Sequence, residues 1–100
     1  MKVTVVRYKT KTGSADENER LIKAVFGELE GKSPAGLCYV VVRLEDGTFI
    51  HLSAVEEGAA ANPLIDLDAF RAFRSAVGER CVEQPQSAAA KVVGNYKVFS

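Results

Sequence analysis

The chain has 100 residues, a length that suits a single domain covering residues 1–100. Thirteen basic residues balance thirteen acidic ones, so no excess charge attracts the phosphates of nucleic acids or an anionic membrane surface. No run approaches the roughly twenty apolar residues of a membrane span, and the N-terminus shows no apolar leader. We therefore expect a cytoplasmic globular protein with neither nucleic acid nor membrane as a partner.

The first third of the chain predicts a strand followed by a helix. Side chains alternate from Lys2 to Thr10 as in a half-buried strand. Ser14 and Glu17 have the S-x-x-E spacing of a capping box, in which each side chain bonds the other's backbone amide. A helix should run from about Ala15 to Glu30 and stop at Gly31. Its apolar stripe consists of Leu21, Ile22, Val25, Phe26 and Leu29, with Asn18 one turn earlier on the same stripe.

The stretch from Leu37 to Val55 predicts a β-hairpin. Both halves are rich in β-branched and aromatic residues, and Asp46-Gly47 between them is a favoured pair for a two-residue turn. That turn would place Val42 opposite His51. One face of the sheet would then carry Cys38, Val40, Val42, Leu44, Phe49, His51, Ser53 and Val55, and the other Leu37, Tyr39, Val41, Arg43, Ile50, Leu52 and Ala54. Both faces are apolar, so both need a cover.

The last third predicts a second helix and a final strand. Asn62-Pro63 and Asp66 are alternative start signals for the helix, whose apolar positions are Leu67, Phe70, Phe73, Val77 and Cys81. The polar segment from Gln84 to Ser87 contains a proline and should end the helix. The segment from Ala88 to Phe99 is predicted to be a strand, with a β-bulge at Gly94-Asn95 where the alternation slips.

The predicted order is β-α-β-β-α-β, which indicates the α+β class. It folds most simply as a four-stranded antiparallel sheet with both helices on one face, the ferredoxin-like arrangement. The opposite face of the sheet would stay apolar and bare. Since large exposed apolar patches usually mark interfaces, face-to-face pairing of two copies is the natural cover, and we expect a homodimer.

The sequence predicts neither a metal site nor a redox centre. Cys38 and Cys81 lie far apart and form no C-x-x-C pair, so buried free thiols are expected rather than a disulfide or zinc ligands. The chain also lacks a glycine-rich phosphate loop and the G-x-S-x-G elbow of serine hydrolases. These classes of chemistry are therefore disfavoured.

Together with this element order, several short motifs resemble the antibiotic-biosynthesis-monooxygenase-like proteins of the dimeric α/β-barrel superfamily. The resemblance covers nearly the whole chain. It rests on Ala15-Asp16-Glu17-Asn18-Glu19, Gly36-Leu37-Cys38-Tyr39, Arg43-Leu44-Glu45-Asp46-Gly47, Phe49-Ile50-His51, Asn62-Pro63-Leu64 and Val93-Gly94-Asn95-Tyr96.

The resemblance implies a homodimer in which two sheets pack into a barrel, with a ligand cavity between each sheet and its helices. It also implies an oxygenase that needs no cofactor, neither metal nor flavin. In members with that activity an electron-rich phenolic or quinol substrate is deprotonated and itself reduces oxygen. The implied function is a cofactor-independent monooxygenase acting on an aromatic or polyketide-like small molecule.

His51 is the candidate catalytic residue, because a histidine can act as a general base near neutral pH and take a phenolic proton. A histidine hydrogen-bonded at a barrel rim or a dimer interface is the alternative. If the face that carries His51 meets the helices, Asn18, Ser53 and Phe70 would line the same ligand pocket. The sequence leaves the choice of face open.

The other polar candidates have structural alternatives that we favour or weigh equally. Tyr8, Tyr39 and Tyr96 could hydrogen-bond a ligand, but we favour the alternative that they cover the sheet while their hydroxyls reach water. Arg43 could bind an acidic group or lie at a solvated strand end. The arginines of the second helix, Arg71 and Arg74, are expected to form a solvated face.

Three functions compete. The first is the monooxygenase, and the second is a non-catalytic dimeric small-molecule-binding or stress-linked module. The third is RNA binding, because the RNA-recognition motif shares the element order. Its R/K-G-F/Y-G/A-F-V-x-F/Y run is missing from the third predicted strand, Gly47 to Leu52, so RNA binding is disfavoured.

Overall fold

The structure is a computed structural model that describes residues 1–58 and 61–98. Its strands and helices are β1 (Lys2–Thr10), α1 (Ala15–Lys32), β2 (Leu37–Arg43), β3 (Thr48–Val55), α2 (Asp68–Ala76) and β4 (Cys81–Ala90), with short 3-10 helices at Pro63–Asp66 and Val77–Arg80. The strands form one antiparallel sheet in the order β2-β3-β1-β4. The predicted ferredoxin-like order is confirmed. In the described part of the chain, no helix is both long and apolar enough to span a membrane.

The core lies between the two helices and one face of the sheet, here called the inner face. Tyr8 of β1 and Phe49 of β3 are each 1% exposed and stack with their ring centroids 5.6 Å apart. They pack against Ile22 and Val25 of α1 and against Phe73 of α2. The two central strands therefore direct their largest side chains toward the helices, and this settles which face the helices cover.

The hairpin between β2 and β3 has a three-residue loop, so the prediction of a two-residue turn is wrong. The Leu44 amide donates to the Thr48 carbonyl at 2.8 Å, and the Gly47 amide donates to the Leu44 carbonyl at 3.2 Å. Gly47 has φ +88°, the left-handed conformation that follows a type I turn in loops of this length. The loop residues are thus Glu45, Asp46 and Gly47.

The extra loop residue shifts the pairing of β2 by one position. His51 lies opposite Val41 instead of Val42, and Ser53 lies opposite Tyr39. A shift of one residue moves every side chain of a strand to the other face. Tyr39 therefore shares the inner face with His51, whereas Cys38, which the sequence placed beside His51, lies on the outer face.

The first helix, α1, begins at Ala15 as predicted, but its N-terminal cap and its C-terminal end differ from the prediction. Ser14 makes no side-chain capping bond, because its backbone is already close to helical (φ −101°, ψ −10°) and its amide closes a turn onto the Lys11 carbonyl. The helix also continues through Gly31. It ends where Ser33 adopts a left-handed φ of 43° and its amide bonds the Leu29 carbonyl at 2.7 Å.

The C-terminal third departs furthest from the prediction. The helix does not extend to Cys81, since α2 ends at Ala76 and a 3-10 turn follows, and β4 runs from Cys81 to Ala90 rather than from Ala88 to Phe99. Phe99 lies outside the described residues. The register shifts in the sheet are in β1, between Arg7 and Thr10, and not at Gly94-Asn95.

Candidate functional site

A cavity of about 470 Å³ lies between the inner face of the sheet and the α2 region. This volume is within the usual range for small-molecule sites. All four strands contribute to it, as do the segment before α2 and α2 itself. Its apolar lining residues include Val6, Leu64, Phe70, Phe73 and Val77, and its polar ones include Tyr8, Tyr39, His51 and Ser53.

The structure brings together three of the four residues that the sequence singled out. His51 and Ser53 of β3 and Phe70 of α2 all line the cavity. Asn18 of α1 lies behind the cavity wall, is fully buried and reaches the site through a hydrogen bond to Tyr8. Their positions are thus established, and their roles stay a proposal.

His51 is held by two tyrosines. The Tyr8 hydroxyl lies 2.7 Å from Nε2 of His51, and the Tyr39 hydroxyl lies 2.7 Å from Nδ1. Tyr8 and His51 are buried, and Tyr39 is half-buried with its ring stacked on Phe26 at 5.0 Å. The expectation that these two tyrosines send their hydroxyls to water is therefore wrong.

The directions of these hydrogen bonds follow from Arg80, which can only donate. Its Nε donates to Oδ1 of Asn18 at 3.0 Å, so the Asn18 amide nitrogen faces Tyr8 and donates to its hydroxyl oxygen at 2.8 Å. The Tyr8 hydrogen then goes to Nε2 of His51, the acceptor within its reach. Nδ1 of His51 carries the ring hydrogen and donates it to the Tyr39 oxygen. We call these five residues the His51 network.

This assignment leaves the hydrogen of Tyr39 without an acceptor inside the network, and Tyr39 lines the cavity. The network therefore offers the cavity a hydrogen-bond donor. The buried members Tyr8, Asn18 and His51 are each hydrogen-bonded to neighbours within the network, as buried polar groups require.

Burial sets the charge state of the network. Desolvation lowers the pKa of His51 to about 4, because a buried imidazolium loses its hydration, so the ring is neutral at pH 7. Desolvation also raises the pKa of Tyr8 and Tyr39 well above the usual range, so both stay protonated. We call the part of the network that lines the cavity at Tyr39 and His51 the polar floor. The polar floor is therefore neutral and hydrogen-bonded.

The remaining candidates lie away from this chemistry. Arg43 forms ion pairs with Asp16 and Glu19 of α1, at 3.0 and 2.9 Å, and so fastens the edge strand β2 to that helix. Cys81 is buried, and its thiol lies 3.1 Å from the Val77 carbonyl. Tyr96 is 82% exposed.

Sequence reasoning missed Tyr8, Tyr39 and Arg80 as parts of the site. The alternation in β1 already put Tyr8 on one face with Val6. The loop length hid Tyr39, because only a three-residue loop places it beside His51. Arg80 gave no signal, since its position was predicted to lie in the last turns of the second helix and no role was assigned to it.

Neither a protein-family model nor a curated protein matches the chain. Solved structures do match. A protein from Nitrosomonas europaea, provisionally named an antibiotic biosynthesis monooxygenase, superposes with a TM-score of 0.76 at 14% identity, over 94% of this chain and 100% of its own. One of the same provisional name from Caulobacter crescentus gives 0.68 at 18% identity, over 93% and 90%. A conserved protein from Methanosarcina mazei gives 0.71 at 16% identity, over 91% and 92%.

These identities carry information on the fold alone. The resemblance to antibiotic-biosynthesis-monooxygenase-like proteins is therefore confirmed at the level of the fold, which this chain shares over nearly its whole length with solved structures of that name.

Proposed function

We propose that the protein binds a small aromatic molecule in the cavity beside the His51 network and acts on it as a cofactor-independent monooxygenase. The observation that supports this proposal is the combination of apolar, aromatic walls with a hydrogen-bonded polar floor at Tyr39 and His51. The shared fold favours the same function. Such a cavity holds a flat ring by apolar contact and orients it through one oxygen.

The reaction needs only the substrate and dioxygen. The anion of an electron-rich phenol or quinol gives an electron to oxygen, and the two radicals join in a carbon-bound peroxide anion. That anion takes up the proton that the phenol lost and becomes a hydroperoxide. Loss of water from that carbon leaves a carbonyl, so a phenol with a free ring carbon and one O₂ become a quinone and one water. The protein has to hold the substrate as its anion and exclude bulk water.

The role of His51 depends on how the anion forms. A pKa of about 4 is about six units below that of an ordinary phenol, so full proton transfer to His51 costs about 8 kcal/mol. A turnover of about 10 per second allows a barrier of about 16 kcal/mol in total. Proton transfer to Nδ1 of His51 through Tyr39 also requires the tautomer whose ring hydrogen is on Nε2. In that tautomer Nε2 no longer accepts the hydrogen of the buried Tyr8 hydroxyl. The network is thus better suited to holding an anion than to creating one, and readily ionised phenols and quinols are the favoured substrates.

Oxygen consumption with a panel of phenols and quinols tests this function. We expect uptake with the more acidic members and a rate that follows the ionisation of the substrate itself. Tyr39→Phe and His51→Gln should lower the rate at least tenfold, whereas Tyr96→Phe, which removes an exposed hydroxyl, should not change it. Uptake that is absent with every compound, or that both site variants retain, would exclude the oxygenase.

A non-catalytic binding protein is the second candidate. It is favoured by one observation, that both ring nitrogens of His51 are already engaged by tyrosines of the same chain. Calorimetry separates the two functions, because a binding protein retains affinity for the panel without consuming oxygen. Loss of affinity in Tyr39→Phe would place such binding at the same floor.

We further propose that the protein is a homodimer built on the outer face of the sheet. Val40 and Val42 of β2 are 48% and 49% exposed there, and Ile50 and Leu52 of β3 are half-buried beside them. Light scattering should give a dimer that Val42→Glu converts to a monomer. Ala24→Glu, on the exposed side of α1, should leave the dimer intact, and a monomeric parent protein would exclude this interface.

A further inference from the structure

Arg74 of α2 has no partner of its own within residues 1–58 and 61–98. It lines the cavity and is exposed, and it takes part in none of the hydrogen bonds or ion pairs of the described chain. Arg71, one turn earlier, is bonded to Asp68 and to the Ile65 carbonyl. The remaining arginines of the described residues are also bonded, namely Arg7, Arg20, Arg43 and Arg80.

The charges that face the cavity have one sign. No aspartate or glutamate lines it among the described residues, and His51 is neutral at pH 7. Among the described residues that line the cavity, Arg74 is therefore the one with a formal charge. Behind the wall, Arg80 lies over the ring of Phe73 at 5.3 Å and makes no salt bridge within the described chain. A site with unpaired cations and no anion attracts a negatively charged ligand.

The polar floor also favours a ligand group that is anionic or accepts a hydrogen bond. The hydrogen of Tyr39 is left for an acceptor in the cavity, because the hydrogen-bond partner that the described chain gives this hydroxyl, Nδ1 of His51, is a donor. An acceptor oxygen deep in the cavity and an anionic group at Arg74 can belong to one molecule. Phe70 and Phe73 line the same cavity with their ring centroids 6.4 Å apart, and their rings favour a flat body.

We propose that the ligand is an aromatic carboxylate, with its ring system against Phe70 and Phe73 and its carboxylate paired with Arg74. An arginine guanidinium binds a carboxylate through two parallel hydrogen bonds, which gives orientation as well as attraction. The inference rests on the proposed use of this cavity as a ligand site, and it is independent of whether the ligand is oxidised.

A matched pair of ligands tests the charge preference. 2-Naphthoate and 2-naphthamide have the same ring system and nearly the same shape, and only the former is an anion at pH 7. Titration calorimetry with the full chain should show at least tenfold tighter binding of the naphthoate. Arg74→Gln should reduce that ratio to below threefold and leave the affinity for the naphthamide unchanged.

Two further variants separate a specific contact from a general effect of charge or folding. Arg71→Gln makes the same change on the same helix outside the cavity lining, so it should keep the preference. Arg74→Lys retains a charge without the planar fork and should keep part of it. Equal binding of both compounds by the parent protein would overturn the anion inference and leave the ligand cavity standing. Equal loss in Arg71→Gln and Arg74→Gln would also overturn it. Binding of neither compound would overturn the inference together with the cavity's proposed function.

Discussion

The inner and outer faces of the sheet are both rich in apolar side chains, yet they are used in different ways. On the inner face Phe49 is 1% exposed and lies under the helices, while Val42 on the outer face is 49% exposed. The inner face also accommodates a histidine, because Tyr8 and Tyr39 satisfy both ring nitrogens. The difference shows that burial, and not composition, determines where this sheet needs a polar network.

The largest expected effect tests the difference in burial between the inner and outer faces, at an apolar residue of each. Phe49→Ala should lower the free energy of unfolding by about 3–5 kcal/mol, since it removes a fully buried ring and leaves a cavity against Tyr8. Val42→Ala on the outer face should cost about 0.5 kcal/mol. Urea denaturation at low protein concentration measures both. If light scattering at that concentration gives a monomer, similar losses for the two variants would mean that the outer face is buried within the single chain.

The next effect concerns the polar part of the inner face. The pKa of His51 is about 4 in the folded state and about 6.5 unfolded, so the unfolded chain binds more protons between these values. The contribution of His51 to the free energy of unfolding is fully present above pH 6.5 and falls as the pH decreases toward 4. Between pH 7 and pH 5 the parent protein should therefore lose about 2 kcal/mol more than His51→Gln does. Parallel pH curves for the two proteins would contradict burial of a neutral His51.

The smallest effect tests the loop that assigns β2 side chains to the two faces. A side chain at Gly47 would meet Thr10 Oγ1 at 3.1 Å and would occupy φ +88°, so Gly47→Ala should cost about 1–2 kcal/mol. The same substitution at Gly27, within α1 and with open space around it, should stabilise by about 0.5–1 kcal/mol. Thermal unfolding shows whether each substitution destabilises or stabilises, and a neutral Gly47→Ala would argue against the left-handed conformation of Gly47.

Much of the fold could be predicted because local patterns agreed with it. The strand from Lys2 to Thr10, the first helix, the hairpin and their order are all confirmed. Three of the predicted pocket positions, His51, Ser53 and Phe70, also line one cavity, since residues two apart on a strand share a face. These features depend on the spacing of apolar residues along strands and helices, which can be read from the sequence.

The register of the hairpin could not be predicted in the same way. Hydrophobic alternation fixes a register only when one face is polar, and here both faces of β2 are apolar. The choice between a two-residue and a three-residue loop therefore rested on Asp46-Gly47 alone, which suits both. The error moved Tyr39 away from His51 and concealed the network.

The last strand was misplaced because local propensity and tertiary position disagree. The segment from Cys81 to Ala90 contains proline, glutamine and alanine, which are poor strand formers, while the following residues are rich in valine. Pairing with β1 decides the outcome, and β4 lies at the sheet edge, where a proline is tolerated. The periodic stripe from Phe73 to Val77 also continues through a 3-10 turn and so resembled one long helix.

The two tyrosines that flank His51 provide an optical marker of the folded state. The chain has no tryptophan, and Tyr96 is the remaining tyrosine, so its near-ultraviolet signal comes mainly from phenol rings. Burial raises the pKa of Tyr8 and Tyr39 beyond the range in which an exposed phenol ionises. Phenolate absorbance in an alkaline titration should therefore rise in two stages, the second coinciding with loss of the native structure.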